Sequence, residues 1–512
     1  MNTPKKKRIF SNIIVSFLCL IFLIMLISLI GNSMGWQATF TRVNSVTGAL
    51  ETNIVTVSNL FSGDEIRNIL GNAITNFISF APLGFLLIAA IAIGVAYKSG
   101  FLPIAFTTMG RRLSKFWITF MFVSLGIITS FAGDFGYVML IPLAGIFYLV
   151  NNRNPLAGIL ATFVAVSAGQ GISFLLSSLD YGLAPYTELA AQLTDKSFKM
   201  GAYSNIFFTI VGTISLAFMI TYITEKIIIP RIPKYKRDEE IIEELVIGRK
   251  EKRGLVVSVL GSLIVFITFI YMLIPGLPGS GLLLDNTGKV YSAMLYGSGS
   301  YFSQSIVYLL SIVLLVAGSL YGFAAKTIKV KEQFSRVLYD SLNNMSSFIV
   351  LIFFASQLIA IFKRSNLGTV ITAWLVELVQ TLNFTSIPLI LLVFVFLVIA
   401  NLFLQASVTK WTIVSPIVIP LFMNANMTPE FAQAVFRVSE GAANIMTPLS
   451  VYFIIFVGFL EMYNKGETRI SLGDCYKMLW PYSVAIALLW MFILITWYII
   501  GLPIGFGVYP TV

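Results

Sequence analysis

From Met139 the chain reads MLIPLAGIFYLVNNRNPLAGILATFVAVSAGQGISFLL, and from Val418 it reads VIPLFMNANMTPEFAQAVFRVSEGAANIMTPL. Each stretch carries an Ile-Pro-Leu, an Asn-containing turn and a second proline. Setting Pro155 against Pro429 without gaps brings Ser167, Ala168, Gly169 and Gln170 opposite Gly441, Ala442, Ala443 and Asn444, and Ser173 opposite Thr447. Small residues and an amide recur together inside apolar runs. Irregular backbone survives at membrane depth only against protein or a water-filled cavity. Interrupted segments at corresponding positions of two halves therefore point to a transporter site, since opened helices free carbonyls and amides for ion and substrate. The plainer alternative is that the small residues admit close helix packing, with Gln170 and Asn444 as interhelical hydrogen-bond glue.

Ionisable residues within these segments are few, and each needs a partner, an aqueous cavity or a change of protonation, because a charge in the bilayer costs about 2.5–3.5 kcal/mol on insertion scales. Arg437, Glu440 and Asn444 fall at i, i+3 and i+7, along one helical face, with Gly441 admitting another backbone beside them. Arg437 and Glu440 can neutralise each other as a structural ion pair at a helix end, or Arg437 clamps a substrate carboxylate with its planar fork and releases Glu440 to a proton, a cation or a polar substrate group. Asp180 has no basic neighbour before Lys196, so its charge must be met by water, an ion or a distant partner. It is the leading cation or proton candidate. Asp134, in a glycine-rich turn, is read as interfacial. Lys410 and Trp411 are read as a snorkelling and anchoring pair at a segment start, unless the indole stacks on an aromatic substrate.

The rest of the chain sets these segments in lipid. Of 512 residues, 57% are hydrophobic and 11% charged, and mean hydropathy is +0.88. A soluble chain carries about a quarter charged residues. Ile13 to Ile30 is free of charge and follows Lys5, Lys6, Lys7 and Arg8. It is longer than a signal-peptide core of about 7–15 residues and lacks an A-x-A-like site, so it is expected to remain as a helix with its N-terminus cytoplasmic. The net charge of +11 is concentrated between apolar segments, which the positive-inside bias explains without nucleic acid. With two cysteines, Cys19 and Cys475, and no histidine, a disulfide framework, a thiolate metal site and His-based catalysis are excluded. Neither a nucleophile elbow, a Walker A sequence nor a zincin pattern is present.

Five units are expected: residues 1–72, an N-terminal transmembrane helix and external loop; 73–225, a first repeat with a re-entrant hairpin; 226–253, a cytoplasmic linker; 254–334, a connecting helix pair; and 335–512, a second repeat with a second hairpin. The linker holds Lys226, Arg231, Lys234, Lys236, Arg237, Arg249, Lys250, Lys252 and Arg253 around an acidic patch, Asp238 to Glu240.

Gly133-Asp-Phe-Gly-Tyr-Val-Met-Leu-Ile-Pro-Leu143 and Asn151-Asn-Arg-Asn-Pro-Leu-Ala-Gly158 resemble the p-aminobenzoyl-glutamate transporter family, AbgT. So do Arg437 followed by Asn444-Ile-Met-Thr-Pro448, then Trp480-Pro-Tyr-Ser483 and Gly501-Leu-Pro-Ile-Gly505; the resemblance runs from about Ser79 to the end. It implies an all-α polytopic membrane protein, a homodimeric bowl whose subunit has about nine transmembrane helices and two re-entrant helical hairpins. The two related repeats are expected to be inverted. Carried over by motif, the substrate and ion positions are Asp180, Asn401, Trp411, Pro429, Arg437, Glu440 and Pro448. Where this chain has Glu440 the family pattern has Asp, and where it has Val408 the pattern has Ser. The first change keeps the charge on one more methylene; the second removes a hydroxyl.

The expectation is a secondary transporter, not an enzyme, in the inner cell membrane. It would move p-aminobenzoyl-glutamate-like aromatic carboxylates of the folate pathway, and export sulfonamide-like antimetabolites, on a Na+ or H+ gradient. It needs no cofactor beyond that coupling ion. Arg437 would hold a substrate carboxylate and Trp411 would face the aromatic ring. Asp180, Asn401 and Glu440 would serve the ion, with Na+ a candidate at Asp180 and Asn401. Gln170 and Asn444 would line two hairpin tips. The rivals are a Na+-dependent dicarboxylate carrier of related architecture and a channel; an intramembrane protease would need paired aspartates, a serine with a base or a metal site, and the chain has no His and holds Asp134 and Asp180 far apart in sequence.

Overall fold

The computed structural model describes residues 12–44, 49–172, 175, 177–201, 203–232, 235, 247–297, 299–382, 384–464 and 470–512. Ser173, the basic run Lys5 to Arg8 and the linker charges Lys234 and Lys236 to Glu240 lie outside them.

Helix α1 (Ile13–Ser33) starts at Asn12, whose side chain accepts from Ile14 N. Strands β1 (Gln37–Val43) and β2 (Leu50–Thr56) pair antiparallel, Gln37 opposite Thr56, and form the one sheet among the described residues of an otherwise helical chain. Two short helices, α2 (Gly63–Gly71) and α3 (Ala73–Ile78), lead into α4 (Pro82–Lys98). Helix α4 is bent by 74° into α5 (Phe101–Gly110) at Gly100, whose φ of +94° suits a residue without Cβ. Next come α6 (Lys115–Ile128), a π-helical turn Gly136–Leu140 running into α7 (Ile141–Val150), α8 (Pro155–Gly169), α9 (Ser178–Ala191) and α10 (Ile206–Ile223). A π turn and a 3-10 turn carry α10 on to Arg231.

After the linker, α11 (Arg249–Tyr271), the short α12 (Tyr291–Tyr296) and α13 (Tyr301–Ala324) form the connecting unit, with α11 packed along α13 and α13 along α4. Amphipathic α14 (Lys331–Asp340) precedes α15 (Ser346–Arg364), α16 (Leu367–Thr381), α17 (Ser386–Phe403), α18 (Ser407–Asn424), α19 (Pro429–Ala443), α20 (Val451–Met462) and α21 (Leu472–Ile500).

The repeat seen in sequence is a repeat of structure. Helices α8 and α19 each have 15 residues, each begins with proline, and they are capped by Gln170 and Asn444. The turn before each contains an Asn in the left-handed region, Asn152 at φ 59° and Asn426 at φ 58°. All these pairs are 274 positions apart (155 to 429, 152 to 426, 170 to 444). The same shift carries α6 and α7 onto α17 and α18, α9 onto α20 and α10 onto α21.

Helix α10 serves as a ruler for direction. In the π turn that continues it, Glu225 pairs with Arg153 of the α7–α8 turn, and Arg153 also donates to Lys115 O at the start of α6 (2.8 Å). At its other end, Phe207 N donates to Ile504 O (2.9 Å), and the residues beyond Ile504 hold the α18–α19 turn: Thr428 N donates to Pro510 O (3.0 Å) and Val512 N to Asn426 O (3.2 Å). The equivalent turns thus lie at opposite ends of α10, so the two repeats are inverted.

The same landmarks locate the interruptions. Helix α8 starts at the Glu225 end of α10, and α9 finishes toward the other, where Glu188 Oε2 accepts from Met200 N (3.1 Å) just ahead of α10. Together they cross once. Helix α19 starts at the Ile504 end, and α20 finishes at Glu461, whose Oε1 accepts from Ile470 N (2.7 Å) at the start of α21. The re-entrant hairpins are the preceding pairs. Helices α6 and α7 are antiparallel, with the Thr119 and Tyr148 hydroxyls bonded near their open ends and residues Thr129 to Phe135 as the tip. Helices α17 and α18 turn at Leu404 to Ala406. Gln170 and Asn444 were expected at hairpin tips; they mark breaks in crossing helices instead. The composition of the two kinds of interruption is alike, Gly with a polar residue in an apolar run, and only the direction of the following helix separates them.

By length and apolar content eight helices, or nine with the bent α4–α5 pair, can cross a membrane among the described residues. Two of the eight, α6 and α17, are hairpin arms. The crossings are then α1, α4, α8 with α9, α10, α11, α13, α15, α19 with α20, and α21.

Candidate substrate and ion site

The breaks of the first repeat and the hairpin of the second meet at the centre of the fold. Helix α9 packs along α18, and the end of α8 meets α19 with a glycine on each side of the contact: a Cβ on Gly171, just past α8, would fall 2.2 Å from Arg437 O, and one on Gly441 3.1 Å from Ala168 O. That approach brings charges from separate repeats together.

Asp180 sits at N3 of α9 because Ser177 caps the helix; its Oδ2 accepts from Ser177 N (2.9 Å) and Ser177 Oγ (2.8 Å). Its Oδ1 accepts from Arg437 Nη1 of α19. Of the water, ion or distant partner that the Asp180 charge requires, the structure supplies a distant partner, Arg437. The Arg437 side chain is 4% exposed, and its Nε and Nη2 have no hydrogen-bond partner among the described residues.

Glu440, one turn on, does not neutralise Arg437 as its spacing suggested. Its Oε1 lies 2.8 Å from Lys410 Nζ of α18, and Lys410 and Glu440 are 0% and 1% exposed. Lys410 also donates to Leu404 O at the end of α17 (3.1 Å). Neither Lys410 nor Trp411 is at an interface: both are fully buried, because α18 is the inner arm of a re-entrant hairpin and its start lies at the centre of the protein. Trp411 Nε1 donates to Thr187 Oγ1 of α9 (2.9 Å), which donates to Gln433 Oε1 of α19 (2.6 Å). The indole lies against Phe436, ring centroids 4.4 Å apart.

Asn401 on α17 donates to Ser439 Oγ (3.0 Å), beside Glu440, and its own Oδ1 is buried without a partner among the described residues, as is Asn444 Oδ1. Pro448 lies in the α19–α20 break beside Thr447, which donates to Leu402 O (2.8 Å). Pro429 is set apart: it opens α19 two turns before Arg437, against the C-terminal residues. Gln170 faces the Tyr452 hydroxyl, which donates to Asp134 at the tip of the α6–α7 hairpin. Asp134 is thus a half-buried tip residue rather than an interfacial one. Gln170 and Asp134 form a second polar group, distinct from the Arg437 cluster.

A cavity of about 210 Å³ opens beside the first cluster, lined in part by Asp180, Tyr181, Asn205, Tyr296 and Gln433. Sequence reasoning missed Lys410 as a core charge, and Thr187, Gln433 and Tyr296 altogether. Gln433 had a signal, since it lies one turn before Arg437 on the same face. Thr187 and Tyr296 had none, as only the tertiary approach of α9 and α12 selects them. Among the described residues no group of three or more acidic or sulfur ligands could hold a metal.

Inverted repeats, each with a re-entrant hairpin and a broken crossing helix, meeting around buried opposite charges, define a membrane transporter. The chain belongs to the AbgT putative transporter family, whose model matches residues 9–512. It is similar to the p-aminobenzoyl-glutamate transport protein of Escherichia coli (strain K12), 28% identical over 457 residues, which cover 89% of this chain and 87% of that one. Among solved structures it is similar to the Alcanivorax borkumensis YdaH transporter, described as having an unusual topology (28% identity, 96% of this chain and 99% of that one, TM-score 0.48). It is also similar to Neisseria gonorrhoeae MtrF, described within a class of antimetabolite efflux pumps (27% identity, 97% of each chain, TM-score 0.49).

Proposed function

We propose that this chain is a secondary active transporter of p-aminobenzoyl-glutamate-like aromatic carboxylates, sulfonamide-type antimetabolites included, driven by a Na+ or H+ gradient. It works as a homodimer in the inner membrane, with the Lys98, Arg111, Arg112 and Lys115 end cytoplasmic by the positive-inside bias. The observation that carries the reading is Arg437: a buried guanidinium with two free donors, restrained by a carboxylate from the other repeat that itself lines a cavity. An entering carboxylate gains charge-assisted bonds from Nε and Nη2, the bidentate geometry for which Arg is suited. Competition with Asp180 then frees that carboxylate for the coupling ion, which ties ion occupancy to substrate occupancy. Tyr181 and Tyr296 on the cavity wall provide faces for an aromatic ring.

The test is uptake of labelled p-aminobenzoyl-glutamate by purified protein in liposomes, with sodium and proton gradients imposed separately. Accumulation driven by one of the two is expected, and absence of gradient-dependent flux refutes the reading. Competition by an aromatic amide but not by a simple dicarboxylate is expected; the reverse identifies a dicarboxylate carrier.

A further inference from the structure

Lys410 is a charge that the transport reading above does not use, and its surroundings are those of a bound cation. Its ammonium stands where α17 ends, at the carbonyl of Leu404, and against the Glu440 carboxylate of α19. The end of a half-helix at a re-entrant tip is where transporters place a coupling cation, since its carbonyls are unpaired and the helix dipole is negative there. Buried oxygens without partners lie on the two helices that hold it, α17 and α19. Glu440 Oε2, Asn401 Oδ1 and Asn444 Oδ1 are without hydrogen-bond partners among the described residues. Asn401 is fastened to Ser439, next to Glu440, and Asn444 follows Glu440 by one turn. A set of carboxylate and carbonyl oxygens with few donors is the ligand set of a hard cation.

We propose that Lys410 is a tethered countercation: its ammonium occupies a cation position formed by the Leu404 carbonyl and the Glu440 carboxylate, and free Na+ binds there once the ammonium is removed. The proposal rests on the transporter reading of this site, but its test uses no substrate, so either can fail without the other. In the native chain the position is filled from within. Na+ is then excluded from Glu440, and any ion that drives transport acts elsewhere, at Asp180.

The experiment measures thermal unfolding of the purified full chain in detergent, in NaCl against KCl at equal ionic strength, for the native protein, Lys410→Ala and the Lys410→Ala/Glu440→Gln double variant. Lys410→Ala is expected to gain a saturable stabilisation by Na+, with a half-maximal concentration at least about tenfold below that of K+, since a ligand that binds only the folded state raises its stability with concentration. The native protein and the double variant are expected to lack that added response. The proposal is overturned if Lys410→Ala responds to Na+ no more than the native chain does, or if the double variant responds equally. It is also overturned if Lys410→Ala is recovered in neither salt while the double variant folds, because a Na+ ion able to replace the ammonium would have satisfied Glu440.

Discussion

The cross-repeat pairing of Arg437 is open to a direct energetic test by neutralising Asp180 and Arg437 singly and together. Asp180→Asn strands a guanidinium that is 4% exposed and already has two donors unpaired, so its cost lies at the upper end of the about 3–5 kcal/mol for breaking a buried pair. Arg437→Gln strands a carboxylate whose side chain is 17% exposed and which keeps its two bonds from Ser177, so its cost lies at the lower end, about 3 kcal/mol. The double change strands neither charge. It should therefore cost less than either single change, a coupling of at least about 3 kcal/mol. The matching cycle on Arg437 and Glu440 should give a coupling below about 1 kcal/mol, since Glu440 answers to Lys410. Reversible unfolding in mixed micelles provides the four free energies of each cycle. Coupling of Arg437 to Glu440 as strong as its coupling to Asp180 refutes the Asp180–Arg437 pairing.

Other changes follow from the same contacts. Gly171→Ala places a Cβ 2.2 Å from Arg437 O, backbone against backbone, and should cost about 1–3 kcal/mol in the same unfolding assay, whereas Gly84→Ala, with nothing within 4 Å, should cost nothing measurable. Thr187→Val leaves both Trp411 Nε1 and Gln433 Oε1 unpaired in the core and should cost about 2–3 kcal/mol in the same assay; a cost near zero shows that Thr187 is incidental. On the β1–β2 hairpin the Asn44 amide and then the Arg42 guanidinium hold the Glu51 carboxyl below its ordinary value. A depressed folded-state value means the contribution of Glu51 is present above the ordinary carboxylate value of about 4.3 and is lost as pH falls through the folded value. The stability difference between the native chain and Glu51→Gln should therefore be present at neutral pH and vanish in acid, and a difference that grows on acidification refutes it.

The sequence made the repeat legible because the features that mark it are local: a proline fixing the first turn of a helix, an Asn able to take positive φ, and a run of small residues at the end. Pro155 with Pro429 and Gln170 with Asn444 were found on these signals, and the helices that they bound are equal in length. The membrane class followed from composition for the same reason. What stayed hidden depends on direction and on tertiary approach. Periodicity says that Arg437 and Glu440 share a face, and a shared face suggested a mutual pair. It cannot say that α9 delivers Asp180 to one of them and α18 delivers Lys410 to the other. Lys410 was misplaced on an assumption about depth, since a Lys-Trp at the start of an apolar helix looks the same whether that start is in the interface or at a re-entrant tip.

The inverted repeats duplicate geometry without duplicating chemistry. Under the 274-position shift Trp411 corresponds to Tyr137, both fully buried aromatics just past the hairpin tip on the inner arm. The charged residues have no such counterparts: Lys410 corresponds to Gly136, Arg437 to Phe163, Glu440 to Val166 and Asp180 to Ile454. Asp134, in turn, stands opposite Val408. Burying an ion pair costs several kcal/mol per ion in desolvation, returned only where geometry is good, so two charged sites would cost twice what one does. Alternating access needs the two repeats to be alike in shape, because each conformation exchanges their roles. It does not need both to hold substrate. Concentrating Lys410, Glu440, Arg437 and Asp180 at the contact of the second hairpin with the first broken helix meets both demands. The pseudo-equivalent contact of Tyr137 with Tyr452, stacked at 3.8 Å, is left to packing and to the single carboxylate of Asp134.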